Sequence, residues 1–391
     1  MRIPGFTSTG SKRPDALFGA GAPVGLPVRL ARASGAEVWD TEGRKYLDFI
    51  MALGAVALGY GHPEVSRAAH AAIDAGVVGP LPPESEERLA ERLAMLMPWM
   101  ERTRFLKTGA EAVAAAVRLA RAATGREVIL RCGYHGWLDW CQPPGTHGIP
   151  TANYAMSEEL PFGDSDRARA LVRLLGDRLA AVVIEPVVER EPPADWLTTL
   201  REETRRIGAL LVLDEIKTGF RLAVGGATER YGIKPDLVVL GKALANGFPL
   251  AAVGGRREVM EEARRTWISS TLATEMVALA AAEATLDVVV RDRVPEGLGA
   301  KGARLLDGLR GLANRHPAVV KEVAGLPEMC HVRFVSESVG ALVARFAASR
   351  GLLWKRTAYN FVSLAHDDTA IGLAIEVLDA ACKEVTRSTT V

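Results

Sequence analysis

Apolar positions along the chain follow two rhythms in alternation. Repeats of three and four residues predict helices over 84–97, 110–123, 166–175, 196–207, 273–290, 301–315 and 370–385. Between several of these lie short, unbroken apolar runs: EVILR (127–131), AAVVIE (180–185), ALLVLDE (209–215), DLVVLG (236–241) and LAAVGG (250–255). Runs without alternation suit strands buried on both faces, so the pattern predicts an α/β fold with a mainly parallel sheet between helices. Upstream, AEVWDTEGRKYLDF (36–49) alternates on either side of Thr-Glu-Gly and predicts a hairpin. After about residue 290 the rhythm changes to helix, strand EMCHVRF (328–334), helix, strand NFVSLA (360–365) and a final helix. The expected organisation is an N-terminal segment with the hairpin (1–48) packing with the small domain, a large domain (49–290) and a small α+β domain (291–391).

In sheets of this kind ligands bind beyond the carboxyl ends of the strands. That rule singles out Glu185, Asp214 with Glu215, and Lys242. Lys242 is the only charge in LVVLGKALANG (237–247), and Asp214 closes a run of apolar residues where an acid ionises only if a cation or donor faces it. The two could form a structural pair or act as capping and solvent-facing groups. They could also flank a cofactor. A desolvated lysine loses its proton readily and attacks a carbonyl to form a Schiff base, and a carboxylate facing a pyridine nitrogen keeps that ring protonated. Pyridoxal phosphate (PLP) uses both.

A phosphate cradle and a stacking partner would complete such a site. Thr108 and Gly109 precede an Ala-rich helix whose N-terminal amides attract an anion, although Thr-Gly before a helix is also ordinary capping. In GYHGWLDW (133–140), Tyr134 or His135 could stack on a ring, or the loop could pack on itself.

Composition narrows the alternatives. The 391 residues are 48% apolar and 24% charged, with a net charge of +1, which suits a globular chain of two domains and not a nucleic-acid or anionic-membrane surface. No apolar run reaches the roughly 18 residues that span a bilayer, and the first residues lack a secretory apolar stretch, so a cytoplasmic protein is expected. The four cysteines and seven histidines form no metal-ligand spacing, so no metal site is expected. GAGAPVG (19–25) neither follows a strand nor opens a helix, which sets aside a dinucleotide fingerprint, and no G-x-S-x-G occurs.

The segments VWDTEGRKYLDF, FLKTGAEA, GYHG, LDEIKTGF, GKALANGFPLAAVGG and SLAHDD together resemble the class III aminotransferases of PLP fold type I, nearest to the glutamate-1-semialdehyde aminomutase branch. The resemblance runs from about residue 22 to 380. It implies that Lys242 carries PLP as a Schiff base and shuttles the proton, and that Asp214 pairs with the pyridine nitrogen. It also implies that Ile216 packs on one ring face and Tyr134 stacks on the other, while Thr108, Gly109 and Ala110 hold the phosphate. Thr271 matches a threonine that reaches the phosphate across a dimer interface, so a homodimer is expected. Glu185 matches an acid near the ring and the substrate. Two departures stand out: Lys107-Thr108-Gly109-Ala110 replaces the usual Asn-Ser-Gly-Thr, and Ala273-Thr274-Glu275-Met276 replaces the usual Ser/Gly-Gly-Asn-Pro.

The expected activity is transfer of an amino group from an amino-acid donor to a carbonyl acceptor by way of pyridoxamine phosphate. The acceptor is read as an oxo-sugar or another specialised metabolite from the altered 273–276 stretch and from Trp137 and Trp140. The alternatives are an aminomutase or an epimerase, and more remotely a PLP-binding protein without catalysis. Arg221, Lys355 and Arg356 are candidate carboxylate or sugar contacts, the last two equally readable as solvated surface charge.

Overall fold

The structure is a computed structural model that describes residues 2–21 and 25–389; residues 22–24 of the GAGAPVG stretch lie outside them. The chain divides into two compact units, one of residues 63–292 and one of residues 1–62 with 293–391.

The 63–292 unit is built on seven strands: β1 (Arg102–Leu106), β2 (Val128–Cys132), β3 (Ser157–Glu159), β4 (Leu179–Ile184), β5 (Leu210–Asp214), β6 (Leu237–Leu240) and β7 (Ala251–Gly255). They lie in the order β1-β7-β6-β5-β4-β2-β3. From β3 to β6 every pair is parallel, whereas β7 runs antiparallel to both β6 and β1. The mainly parallel α/β sheet read from the sequence is therefore present, with a mixed edge.

The unbroken apolar runs find the environment they require, since every residue of β2, β4, β5, β6 and β7 is buried. Successive side chains serve opposite faces. Val183, Val212 and Val239 pack with Ala112 and Val117 on one side, while Val182 and Leu211 pack with Leu171, Trp196 and Leu200 on the other. Each such buried Val or Leu contributes roughly 1.5–3 kcal/mol. Two helices bear on the site. The first, α1 (Gly109–Thr124), opens with a capping box between Thr108 and Glu111 and closes at Gly125 in the left-handed region. The second, α2 (Met276–Arg291), is capped by the Glu275 carboxylate.

In the other unit, Glu37–Asp40 and Lys45–Asp48 form the expected hairpin. Its turn is fixed by Asp40, which accepts the Glu42 and Arg44 amides at 3.0 and 2.9 Å. Leu352–Leu353 adds in parallel to Lys45–Asp48. A second, three-stranded sheet joins Val320–Leu326, Met329–Phe334 and Asn360–Phe361. The strand expected over 360–365 is shorter than its apolar pattern, because only Asn360 and Phe361 pair. Beyond them the chain turns so that His366 Nδ1 accepts the Ser363 amide at 3.0 Å. The helix expected over 301–315 begins earlier, at Val294; Gly297 and Gly299 in its first turns obscure the periodicity. No helix among the described residues is long and apolar enough to cross a membrane.

Candidate active site

Two adjacent parallel strands deliver the central pair. β5 ends in Asp214, and β6 passes through Gly241 to Lys242. Both residues line one cavity of about 340 Å³, together with Thr108, Gly109, Ala110, Tyr134, His135, Glu185 and Ile216. Nine residues singled out from the sequence thus meet at one place. Thr271 does not line this cavity and lies exposed in a turn.

Lys242 holds φ +43°, a left-handed conformation that costs a non-glycine residue roughly 1–2 kcal/mol and that the surrounding fold must impose. Its amine is pushed down to about 8, first by burial and then by the charge of Lys217, against the attraction of Asp214 and Glu185. Asp214 is 2% exposed, and donors face it as its position requires. His135 Nδ1 lies 2.8 Å from Asp214 Oδ2, and the Ile216 amide donates to Oδ1 at 3.2 Å. His135 is itself stacked on Trp140, with ring centroids 5.9 Å apart.

Glu185 is anchored from two sides. It accepts the Tyr134 amide at 2.8 Å and pairs with Lys217 Nζ at 2.8 Å. Tyr134 is 71% exposed at the rim of the cavity, whereas its neighbour His135 is buried. Thr108 is drawn into capping: its amide and hydroxyl both donate to Glu111 Oε2, at 2.8 and 2.9 Å. The Gly109 and Ala110 amides belong to the first helical turn, which has no intrahelical acceptors of its own.

Other residues fall elsewhere. Glu215 turns away from the strand end and accepts the Ala227 and Thr228 amides at 2.7 and 2.6 Å, tying the loop to the Gly226–Tyr231 helix. Arg221 is fully buried. Lys355 and Arg356 are buried too, which corrects their reading as surface charge: Lys355 donates to the Ser11 carbonyl at 2.6 Å and Arg356 to that of Asp15 at 3.1 Å. The sequence reading missed Lys217 as a site residue. Its place three residues after Asp214, in the same strand-end segment, was the available signal.

The residues present suit PLP. A buried carboxylate and a lysine with a lowered amine face one space, and helix-terminal amides open on it. A Cβ on Gly109 would lie 2.5 Å from Ile216 Cδ1, so this first helical turn needs glycine to close on the Ile216 side chain. The buried Nε2 of His135 has no partner among the described residues, as befits a group facing a ligand.

The family described as aminotransferase class-III matches residues 20–367. The chain belongs to that family. This class III aminotransferase is therefore a PLP-dependent enzyme acting on small-molecule amino donors and acceptors. It is 35% identical over 395 residues to a glutamate-1-semialdehyde 2,1-aminomutase of Thermomicrobium roseum, covering 92% of each chain. It is 34% identical over 392 residues to the same-named protein of Thermus thermophilus, covering 91% of this chain and 92% of that one. Among solved structures, an omega-transaminase from Sphaerobacter thermophilus aligns with TM-score 0.88 and 26% identity, over 98% of this chain and 95% of its own. FumI of Sphingopyxis sp. MTA144, solved in its PLP internal aldimine form, aligns with TM-score 0.89 and 29% identity, over 94% of this chain and 91% of its own.

Proposed function

We infer that the enzyme moves an amino group from an amino-acid donor to a small carbonyl acceptor, with Lys242 as both the attachment point of PLP and the proton carrier. The observation that carries this reading is the meeting of Lys242 and Asp214 in one cavity, with the Lys242 amine lowered to about 8. Bound PLP supplies an aldehyde for Lys242 and a pyridine ring that takes up electrons from the substrate carbon.

The remaining roles belong to the chain. Asp214, held by His135 and the Ile216 amide, would keep the proton on the ring nitrogen. The Gly109 and Ala110 amides, with Thr108, would hold the phosphate, and Ile216 and the Tyr134–His135 segment would border the ring. Once free, Lys242 would take the proton from the donor's α-carbon and return it one step later, which requires an unprotonated amine at working pH. Phe248, Pro249 and Leu250 give the cavity an apolar wall that limits water.

A second reading, intramolecular amino transfer, is favoured by the aminomutase relatives that match over nine-tenths of both chains. Nothing that lines the cavity selects an oxo-sugar, so the acceptor reads simply as a carbonyl compound. The exposed Thr271 suits the role of reaching a phosphate in a second copy of the chain, which makes a homodimer the proposed assembly.

The test begins with Lys242→Ala, which is expected to lose turnover and the visible absorbance of the bound cofactor; full turnover by that variant would refute the assignment. Wild-type holoenzyme is then given L-glutamate without acceptor. Stoichiometric release of a 2-oxo acid supports transamination, and its absence, with conversion of glutamate-1-semialdehyde, supports the mutase.

A further inference from the structure

We propose that Lys217 is a positioning residue of the reaction: clamped against Glu185 in the wall of the cavity that Lys242 also lines, its ammonium makes the Lys242 amine easier to deprotonate and so more available as a nucleophile. The proposal rests on the reading that Lys242 takes the PLP aldehyde.

The geometry is built and not incidental. Lys217 follows Ile216 in the loop leaving β5 and lines the same cavity as Lys242. Its Nζ lies 2.8 Å from Glu185 Oε1, with side chains only 15% and 6% exposed. A long, flexible lysine held at that depth gives up rotamer freedom and hydration, so its place must be fixed by the partner. Glu185 provides the fixing. It leaves the end of β4, and its other carboxylate oxygen accepts the Tyr134 amide at 2.8 Å. Gly133 closes behind it: at φ +102°, a Cβ there would stand 2.6 Å from Glu185 Oε2. The Tyr134 amide thus holds Glu185 beside Lys217.

The charges around Lys242 then add to the effect of burial. Asp214 and Glu185 favour the ammonium form, and Lys217 and Arg221 oppose it. Lys107 and His135 also line the cavity. After burial, Lys217 is the largest influence, ahead of either carboxylate, and the amine stands at about 8. Both acids are committed elsewhere, Asp214 to His135 and Glu185 to Lys217 itself. Lys217 thus does two things with one charge: it occupies the acid that would otherwise hold Lys242 protonated, and it repels a proton from Lys242 directly.

The test reads the amine itself and not turnover. Full-length protein stripped of cofactor is mixed with pyridoxal across pH 6 to 10. A C=N bond forms between Nζ and the aldehyde carbon as water leaves; borohydride reduces it, and peptide mass mapping counts the label at position 242. In Lys217→Met the midpoint of labelling is expected to move up by about one pH unit, so that labelling at pH 7 falls about tenfold. Lys217→Arg is expected to keep the native midpoint. An unmoved or lowered midpoint in a folded Lys217→Met overturns the proposal. Should that variant not fold, Glu185→Gln serves: loss of the carboxylate is expected to lower the midpoint, and an unchanged or raised one overturns the proposal. Label absent from Lys242 in the native chain would sink the functional reading, whereas label at Lys242 with an unmoved midpoint sinks only the role of Lys217.

Discussion

Lys107 Nζ stands 2.7 Å from Glu275 Oε1, with the two side chains 14% and 13% exposed. Each residue occupies a position where the class III pattern usually has asparagine, so the two departures answer each other: one cation and one anion replace two amides and meet. Glu275 also caps α2, accepting the Val277 and Ala278 amides at 2.7 and 3.0 Å. The pair therefore ties the segment before the candidate phosphate cradle to the start of a long helix.

That coupling predicts non-additive mutations. Lys107→Asn strands a mostly buried carboxylate and is expected to cost about 1–3 kcal/mol, below the cost of a fully buried pair because both groups keep some solvent. Glu275→Asn retains a good cap but strands the lysine, with a similar loss. The double variant is expected to recover most of the deficit, measured as thermal midpoints in a double-mutant cycle. Simple addition of the two losses would show that the pair is incidental.

Asp214→Asn removes the charge that Lys242 and a pyridinium would both face, and leaves the shape nearly unchanged. PLP is expected still to bind, seen by absorbance, while turnover falls on the order of 100-fold or more. His135→Phe keeps the stack on Trp140 but frees Asp214 Oδ2, and is expected to fall between wild type and Asp214→Asn. Equal turnover in Asp214→Asn and wild type would remove the acid from the mechanism.

The pattern of apolar positions made the sheet legible because β4, β5 and β6 are buried on both faces, and such strands carry no other signal than their own continuity. Lys242 and Asp214 were legible for the same reason, as charges placed where continuity stops. Lys217 was not. Its place near the strand end was the one hint, but its partner Glu185 comes from a different strand, and no local pattern reveals that pairing. β3 was hidden as well: Ser157–Glu159 is short and polar, paired with β2 along the backbone and through Arg131, which donates to the Ser157 hydroxyl at 3.2 Å, so it shows no apolar strand pattern. The surface-charge reading of Lys355 and Arg356 stayed open because their partners, the Ser11 and Asp15 carbonyls and the Glu337 carboxylate, lie far away in the sequence.

Gly136 holds φ +97°, and a Cβ there would lie 2.5 Å from the Ala110 Cβ and 3.0 Å from its Cα. Gly136→Ala therefore meets backbone strain of about 1–2 kcal/mol and a clash against the opening turn of α1. Because Ala110 is a phosphate-cradle candidate, the expected effect is a roughly tenfold or greater loss of PLP affinity in a protein that still folds, read by absorbance titration and circular dichroism. Unchanged affinity would separate the Gly136 loop from the cradle.

The last prediction concerns pH and the residue 293–391 segment. Asp379 is met by Lys383 at 2.7 Å, by His316 at 3.0 Å and by Arg315 at 2.9 Å. Lys383 first, then His316 and Arg315, hold its carboxyl well below the usual range despite the opposing effect of burial. A carboxylate with a lowered folded-state pKa stabilises the protein above the ordinary value of about 3.9, and that contribution disappears as pH falls through the lowered one. Asp379→Asn is therefore expected to lower the melting temperature at pH 7, by an amount corresponding to about 1 kcal/mol given the side chain's partial exposure. The gap between variant and wild type should narrow as pH drops from 4 toward 2. Melting curves across that range check it, and a gap that stays constant would mean that Asp379 contributes through packing and not through its charge.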